Sequence, residues 1–104
     1  MANSDKIEYG LNQRTLSLIK GIFKKYPQIK QVIIYGSRAK GNYRLGSDID
    51  LTLKGQDITL ETLLKIENEL DELLLPYKFD ISIYDKITDS EILEHINRVG
   101  KILF

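Results

Sequence analysis

Three aspartates stand in stretches whose alternating pattern places their side chains on one face of a strand. Apolar and polar residues alternate over 48–53 and 78–84, so Asp48 and Asp50 share one face, and Asp80 lies on the polar face of the second stretch. Carboxylates this close repel and raise one another's pKa unless a cation lies among them. Oxygen ligands that leave room for water and phosphate suit Mg²⁺, and two such ions can assist phosphoryl or nucleotidyl transfer.

A glycine–serine pair directly follows the first strand-like run, in the sequence GSRAKG. Gly36 permits close approach of the backbone to a ligand, and Ser37 offers a hydroxyl and a backbone N–H. Arg38 and Lys40 add positive charge, and Ser47 ends the segment. The pattern predicts a nucleotide-phosphate site formed by these five residues. Solvated loop charge is the alternative for Arg38 and Lys40.

The elements that must position these residues follow from periodicity and from breaker residues. Apolar residues recur with helical spacing over 11–26, 59–75 and 92–99, with Pro27 and Pro76 after the first two runs. Thr59 is a predicted N-cap, and Thr88 to Glu91 has the spacing of a capping box. The predicted strands cover 31–35, 48–53, 78–84 and 101–104.

The predicted element order is α-β-β-α-β-α-β, which favours an α/β (α+β) fold with helices covering one face of a small mixed sheet. The all-apolar run at 31–35 predicts a strand buried on both faces. A chain of 104 residues predicts one domain over 1–104, and we expect residues 1–8 to form a flexible N-terminus.

Composition excludes several kinds of site. The chain has no cysteine and one histidine, His95, which excludes disulfides, thiolate metal sites and zinc sites built on several imidazoles. We expect His95 to be a surface residue. Apolar runs are too short to span a bilayer, and the N-terminus lacks a signal-peptide core. A cytoplasmic location without a membrane partner is the expectation.

The formal net charge is zero, but the charges are unevenly ordered. Residues 9–47 carry eight Lys or Arg and no acid, whereas residues 48–104 carry six Lys or Arg against thirteen acids. A basic segment of this kind suits a polyanionic ligand. It has few interleaved aromatic residues, which argues against nucleic acid as that ligand.

The sequence GSRAKGNYRLGSDIDL at 36–51 resembles the signature of the polymerase-beta-type nucleotidyltransferase superfamily. The length and layout of the chain resemble its minimal nucleotidyltransferase (MNT) members, often encoded beside a small helical HEPN-domain protein. The resemblance implies a nucleotidyltransferase fold, phosphate binding by Gly36 and Ser37, and catalytic Mg²⁺ binding by Asp48, Asp50 and Asp80. It also implies that Asp80 helps to activate the acceptor hydroxyl.

The leading hypothesis is a Mg²⁺-dependent enzyme that transfers AMP from ATP to a hydroxyl. By resemblance, the acceptor is a tyrosine of a HEPN-domain toxin that forms a hetero-oligomer with this chain, which would then be the antitoxin. Two alternatives stay open: a non-catalytic antitoxin that neutralises its partner by binding, and an enzyme for a small molecule presented by a separate subunit. A nucleic-acid-binding module ranks last.

Overall fold

The computed structural model describes residues 6–104. The helices are α1 (Gln13–Phe23), α2 (Gly36–Lys40), α3 (Leu60–Glu72) and α4 (Ser90–Val99), with a 3-10 turn at Tyr84–Lys86. The strands are β1 (Ile7–Glu8), β2 (Leu11–Asn12), β3 (Ile29–Tyr35), β4 (Ile49–Gly55), β5 (Phe79–Ile83) and β6 (Lys101–Ile102). Within this part of the chain, no helix has the length and apolarity that crossing a bilayer requires.

The main sheet is mixed and has the strand order β5-β4-β3-β6. Strand β3 pairs antiparallel with β4 and with β6, whereas β4 and β5 are parallel and are joined through α3. The register places Tyr35 opposite Asp50, and Asp50 opposite Asp80. Because directly paired residues project from the same face, all three side chains lie on one side of the sheet. The predicted mixed sheet is confirmed, and β6 lies at its edge as expected.

One face of the sheet forms the main core with α1 and α3. Ile34 and Leu51 from the central strands are fully buried in one cluster with Phe23 of α1 and Ile66 of α3. These helix residues belong to the apolar stripes that predicted the two helices. The core thus covers the sheet face opposite the three aspartates.

Helix α4 covers part of the other face, which differs from the expected one-sided arrangement. It packs against β3, where Ile33 and Ile96 are both buried. Gly100 ends the helix beside Ile33, and a Cβ atom there would lie 2.7 Å from the Ile33 side chain. The physical reason is that β3 is apolar on both faces, as its sequence predicted, so its second face also needs a cover.

Two helix starts show how well local sequence predicts a cap. Thr59 accepts a hydrogen bond from the Thr62 N–H at 3.2 Å, as expected. In α4 the cap is Asp89, whose carboxylate accepts the Glu91 N–H at 2.9 Å, one residue after the Thr88 that the capping-box spacing favoured. Asp is at least as good an N-cap as Thr, and here Asp89 caps the helix in place of the predicted Thr88.

A short hairpin replaces part of the expected flexible N-terminus. Ile7 and Glu8 pair antiparallel with β2, while residues 1–5 lie outside the described part of the chain. The turn consists of Tyr9 and Gly10, whose φ angles of 58° and 75° are both positive. Two positive φ angles are what a two-residue hairpin turn needs, and only Gly10 signals one in the sequence.

Candidate active site

The three predicted aspartates lie together at one end of the open sheet face. Asp50 is half-buried on β4 and faces Asp80 of β5, while Asp48 precedes β4; both neighbours are exposed. Burial, followed by the negative charges of Asp80 and Asp48, raises the pKa of Asp50 to about 6. The alternation argument therefore placed the carboxylates close enough to interact.

The carboxylates are not gathered around a single point. Over residues 6–104, no group of three His, Cys, Asp or Glu side chains is arranged to hold a metal ion. The donor set nevertheless fits Mg²⁺ chemically, because hard carboxylate oxygens are its preferred protein ligands. A cation among these groups would also relieve the repulsion that contributes to the raised pKa of Asp50.

Gly36 occupies the junction between β3 and α2, directly beside Asp50. Its φ angle of 73° lies in the left-handed region, and a Cβ atom at this position would lie 2.2 Å from Asp50 Oδ2. A side chain here would be strained and would collide with that carboxylate. Ser37, the next residue, is half-buried in α2. The predicted Gly–Ser pair and the predicted aspartates thus meet in the structure.

Arg38 lies inside the fold, although the sequence placed it in the phosphate site. Its side chain is almost fully buried, with 3% exposed. Its Nε and Nη2 donate to the Ser47 carbonyl at 3.1 and 2.9 Å, and its Nη1 donates to the Tyr9 carbonyl at 2.8 Å. The guanidinium also stacks on Tyr43 and Tyr77, at 5.5 and 4.9 Å from the ring centroids. This placement ties α2 to the following loop and to the hairpin.

Lys40 and Ser47 occupy different environments from Arg38. Lys40 is exposed in the last turn of α2. The Ser47 hydroxyl accepts the Arg44 N–H at 2.8 Å, and its carbonyl is one of the acceptors for Arg38. Ser47 therefore closes the α2–β4 loop, whereas Lys40 keeps its charge at the surface.

A cleft of about 400 Å³ lies over the open sheet face. Asp50 and Asp80 form its floor together with Tyr35, and its other wall comes from the start of α4 with Glu91, Ile92 and His95. Burial raises the pKa of the Tyr35 phenol, which keeps it neutral over the ordinary pH range.

The contribution of α4 to this cleft was missed at the sequence level. His95 is half-buried rather than a free surface residue; its ring packs edge-on against Tyr35 with centroids 6.2 Å apart, and its Nε2 accepts the Gly36 N–H at 3.2 Å. The apolar run of β3, which needs a cover on both faces, is the signal that would have placed α4 here.

A larger groove of about 720 Å³ runs along the outer side of α3. Exposed Leu60 and Leu64 line it with charged neighbours, and none of the predicted site residues does. We place the candidate active site in the smaller cleft, because Asp50 and Asp80 line it and the Gly36 turn lies beside Asp50.

A mixed four-stranded sheet with aspartates paired across neighbouring strands and a Gly–Ser turn beside them defines a nucleotidyltransferase fold. Comparison with family models gives the specific family. The polymerase beta nucleotidyltransferase model matches residues 18–104, and the chain belongs to this family. By sequence alone, no curated protein matches the chain.

Solved structures of toxin–antitoxin complexes share the fold. A chain of a toxin–antitoxin complex with AMP-PNP is 18% identical with a TM-score of 0.71, over 86% of this chain and 72% of that one. A chain of the MntA–HepT complex is 16% identical with a TM-score of 0.67, over 89% and 72%. A chain of the tri-AMPylated Shewanella oneidensis HEPN toxin with its MNT antitoxin is 16% identical with a TM-score of 0.66, over 88% and 71%.

Proposed function

We propose that this chain is a Mg²⁺-dependent nucleotidyltransferase that moves AMP from ATP to a hydroxyl of a HEPN-domain partner and thereby acts as its antitoxin. The observation that carries this proposal is the contact of Gly36 with Asp50 where Asp50 and Asp80 pair across β4 and β5. Membership of the polymerase beta family supports the reaction class. The AMPylated toxin in one structural relative supports the acceptor.

The proposed reaction breaks a phosphoanhydride bond and forms a phosphate ester bond. The acceptor oxygen bonds to the α-phosphorus while the bond from that phosphorus to the oxygen bridging to the β-phosphate breaks, and pyrophosphate leaves. Asp48, Asp50 and Asp80 would hold Mg²⁺, which when bound supplies neutralising charge to the triphosphate. Gly36 would let the chain approach the phosphates, and Asp80, which is exposed and lines the cleft, would take the hydroxyl proton.

The partner must supply the acceptor. The cleft is small and open on one side, and its walls are acidic, with Asp89 and Glu91 facing the aspartates of the sheet. A protein hydroxyl presented from outside fits such a site better than a small molecule enclosed by this chain. The proposed complex is a hetero-oligomer with the HEPN-domain protein.

The test is transfer of label from [α-³²P]ATP to the purified partner, with mass spectrometry to identify the modified residue. We expect Asp48→Asn combined with Asp50→Asn to abolish transfer, because the carboxylate on β4 and the one just before it are then both neutral. The matched control combines Asp57→Asn with Asp71→Asn, two exposed aspartates outside the cleft. Transfer retained by the double variant, or lost equally in the control, contradicts the metal assignment.

The same double variant separates catalysis from neutralisation by binding. If modification silences the toxin, cells that produce the partner lose protection when the double variant replaces the wild type. Protection that persists without transfer would instead support the non-catalytic antitoxin.

A further inference from the structure

Among the side-chain hydrogen bonds of residues 6–104, a single one joins α4 to the β3–α2 junction, and His95 forms it. Its Nε2 accepts the Gly36 N–H at 3.2 Å. A neutral imidazole has one acceptor nitrogen, so this bond places the ring proton on Nδ1. The lone pair that could otherwise take a proton from a substrate is thus already occupied by a backbone amide.

The bond holds Gly36, which lies directly beside Asp50. Gly36 has a φ angle of 73°, which is only one of several backbone conformations available to glycine. A Cβ atom at this position would lie 2.2 Å from Asp50 Oδ2. A small rotation at Gly36 would therefore change the space available to the carboxylate and the path of the chain into α2. His95 fixes this rotation from the opposite side.

One further contact holds the imidazole, and packing of the helix holds the residue that carries it. The ring packs edge-on against Tyr35, the residue before Gly36, at 6.2 Å between centroids. The next residue on α4, Ile96, is buried at 2% exposure where α4 packs against β3. A ring that packs against Tyr35 from an anchored helix is a preorganised hydrogen-bond acceptor.

We infer that His95 is a positioning residue of the active site, which holds the Gly36 turn against Asp50 through its Nε2 and is not the base that deprotonates the acceptor. The expected effect of His95 on transfer rests on the proposed function, whereas the hydrogen bond between His95 and Gly36 does not depend on it. A misplacement of the order of 1 Å near reacting groups can lower a rate about 100-fold, so one bond at this position has a measurable effect.

The test compares His95→Gln with His95→Leu. A glutamine amide oxygen can still accept the Gly36 N–H, whereas leucine has similar bulk and no acceptor. Arg98→Leu on the exposed side of α4 is the control for a polar-to-apolar change on the same helix. We expect kcat/KM for AMP transfer to fall about 10-fold or more in His95→Leu and to stay within about threefold of wild type in His95→Gln and Arg98→Leu.

A second readout uses the isolated ¹⁵N-labelled chain and needs neither nucleotide nor partner. The wild type should show a ¹⁵N–¹⁵N coupling across the bond between Gly36 and His95, and slow exchange of the Gly36 amide proton. The His95→Gln variant should keep the slow exchange, and His95→Leu should lose it. Circular dichroism then checks that both variants retain the fold.

The outcomes separate this inference from the proposed function. Wild type that transfers nothing overturns the proposed function, while the coupling and the exchange rates still decide whether His95 holds Gly36. Transfer by His95→Leu at the wild-type rate overturns the positioning role. A His95→Gln variant that protects the Gly36 amide but is as inactive as His95→Leu, with the acidic limb of the wild-type pH profile removed, would assign His95 as the base and overturn the inference.

Discussion

At the scale of single residues, Asp50 combines partial burial with two like-charged neighbours. Its folded-state pKa of about 6 lies above the ordinary value of 3.8, so the folded chain binds more protons than the unfolded chain between these two values. Stability contributed by the protonated form is therefore lost as the pH rises through about 6. The crowding that makes Asp50 a suitable cation ligand is thus a cost to the cation-free fold at neutral pH.

The first prediction follows from this loss of stability as Asp50 ionises. Without divalent ions, Asp50→Asn should raise the free energy of unfolding at pH 8 by about 1 kcal/mol, a value reduced for the solvent exposure of the carboxylate. For a domain of this size the midpoint temperature rises by about 4–8 °C. As the pH falls below the ordinary pKa of 3.8 the difference should disappear, because Asp50 is then protonated in both states. Thermal unfolding followed by circular dichroism from about pH 3 to about pH 8 measures it, and an equal or lower midpoint at pH 8 would refute the argument.

Gly36 gives a second prediction at this scale. Gly36→Ala should lose about 1–2 kcal/mol of stability, because an L-residue is strained at a φ angle of 73°. Gly46→Ala is the matched control: its φ angle is 86°, but nothing lies within 4 Å of its added Cβ. Both variants share the backbone strain, and only Gly36→Ala pushes on Asp50.

Measurement of AMP transfer beside urea unfolding separates the two effects. We expect Gly36→Ala to lose at least as much stability as Gly46→Ala, because the collision with Asp50 adds to the shared backbone strain, and Gly36→Ala alone to lose transfer by about 10-fold or more. Equal transfer by the two variants would mean that the close approach of Gly36 to Asp50 has no part in the reaction.

At the scale of elements, Arg38 holds α2, the α2–β4 loop and the N-terminal hairpin together. Arg38→Leu should lower the free energy of unfolding by about 2–3 kcal/mol, because it leaves the Ser47 and Tyr9 carbonyls without their donors and removes the stacking on two tyrosines. Lys40→Leu, on the exposed side of the same helix, should change it by less than about 0.5 kcal/mol. Chemical denaturation measures both. If Arg38→Leu left stability intact and weakened only nucleotide affinity, the phosphate contact first predicted for Arg38 would be correct.

The sequence predicted the long elements well, because each has enough repeats of its period. The leucine stripe of α3 and the alternation that carries Asp50 and Asp80 both appear where expected. Helix α2 has five residues, too few to show helical periodicity, and the chain there reads as a glycine-rich loop.

The part of the site that local sequence could not predict is its long-range contacts. The burial of Arg38 depends on carbonyls from two other segments. The bond from His95 to Gly36 spans a large part of the chain, and no pattern near either residue signals it. A histidine on an amphipathic helix is usually a surface feature, which is how His95 was interpreted. Arg38 was interpreted as a phosphate ligand, with solvated loop charge as the alternative.

At the scale of the whole molecule, the zero net charge hides two halves of opposite sign that meet at the site. The basic segment 9–47 ends at Ser47, and the acidic segment begins at Asp48. The sheet then brings Asp80, from deep in the acidic half, next to Asp50. Glu91 of α4 adds another carboxylate to the same cleft. The basic residue nearest the Gly–Ser turn, Arg38, is occupied within the fold.

This distribution makes the binding of a free triphosphate unfavourable and predicts strong coupling between ATP and Mg²⁺. The phosphates would enter a cleft lined by carboxylates, where like charges repel unless a divalent cation lies between them. A ligand that binds only the folded state at about 100 times its Kd adds about 2.7 kcal/mol of stability. In a domain of this size that raises the midpoint temperature by about 10 °C or more. We expect this rise with ATP and Mg²⁺ together, and little change with ATP in EDTA.

Thermal unfolding of the isolated chain over a series of ATP concentrations is the measurement, and the two aspartate pairs provide its internal comparison. The Asp57→Asn and Asp71→Asn control should respond like the wild type, because neither side chain lines the cleft. The Asp48→Asn and Asp50→Asn variant should show a smaller rise with Mg²⁺ present. It should also respond more than the wild type to ATP in EDTA, since two of the repelling charges are gone. A rise with ATP that is independent of Mg²⁺, and equal in all three proteins, would place the nucleotide outside the carboxylate cleft.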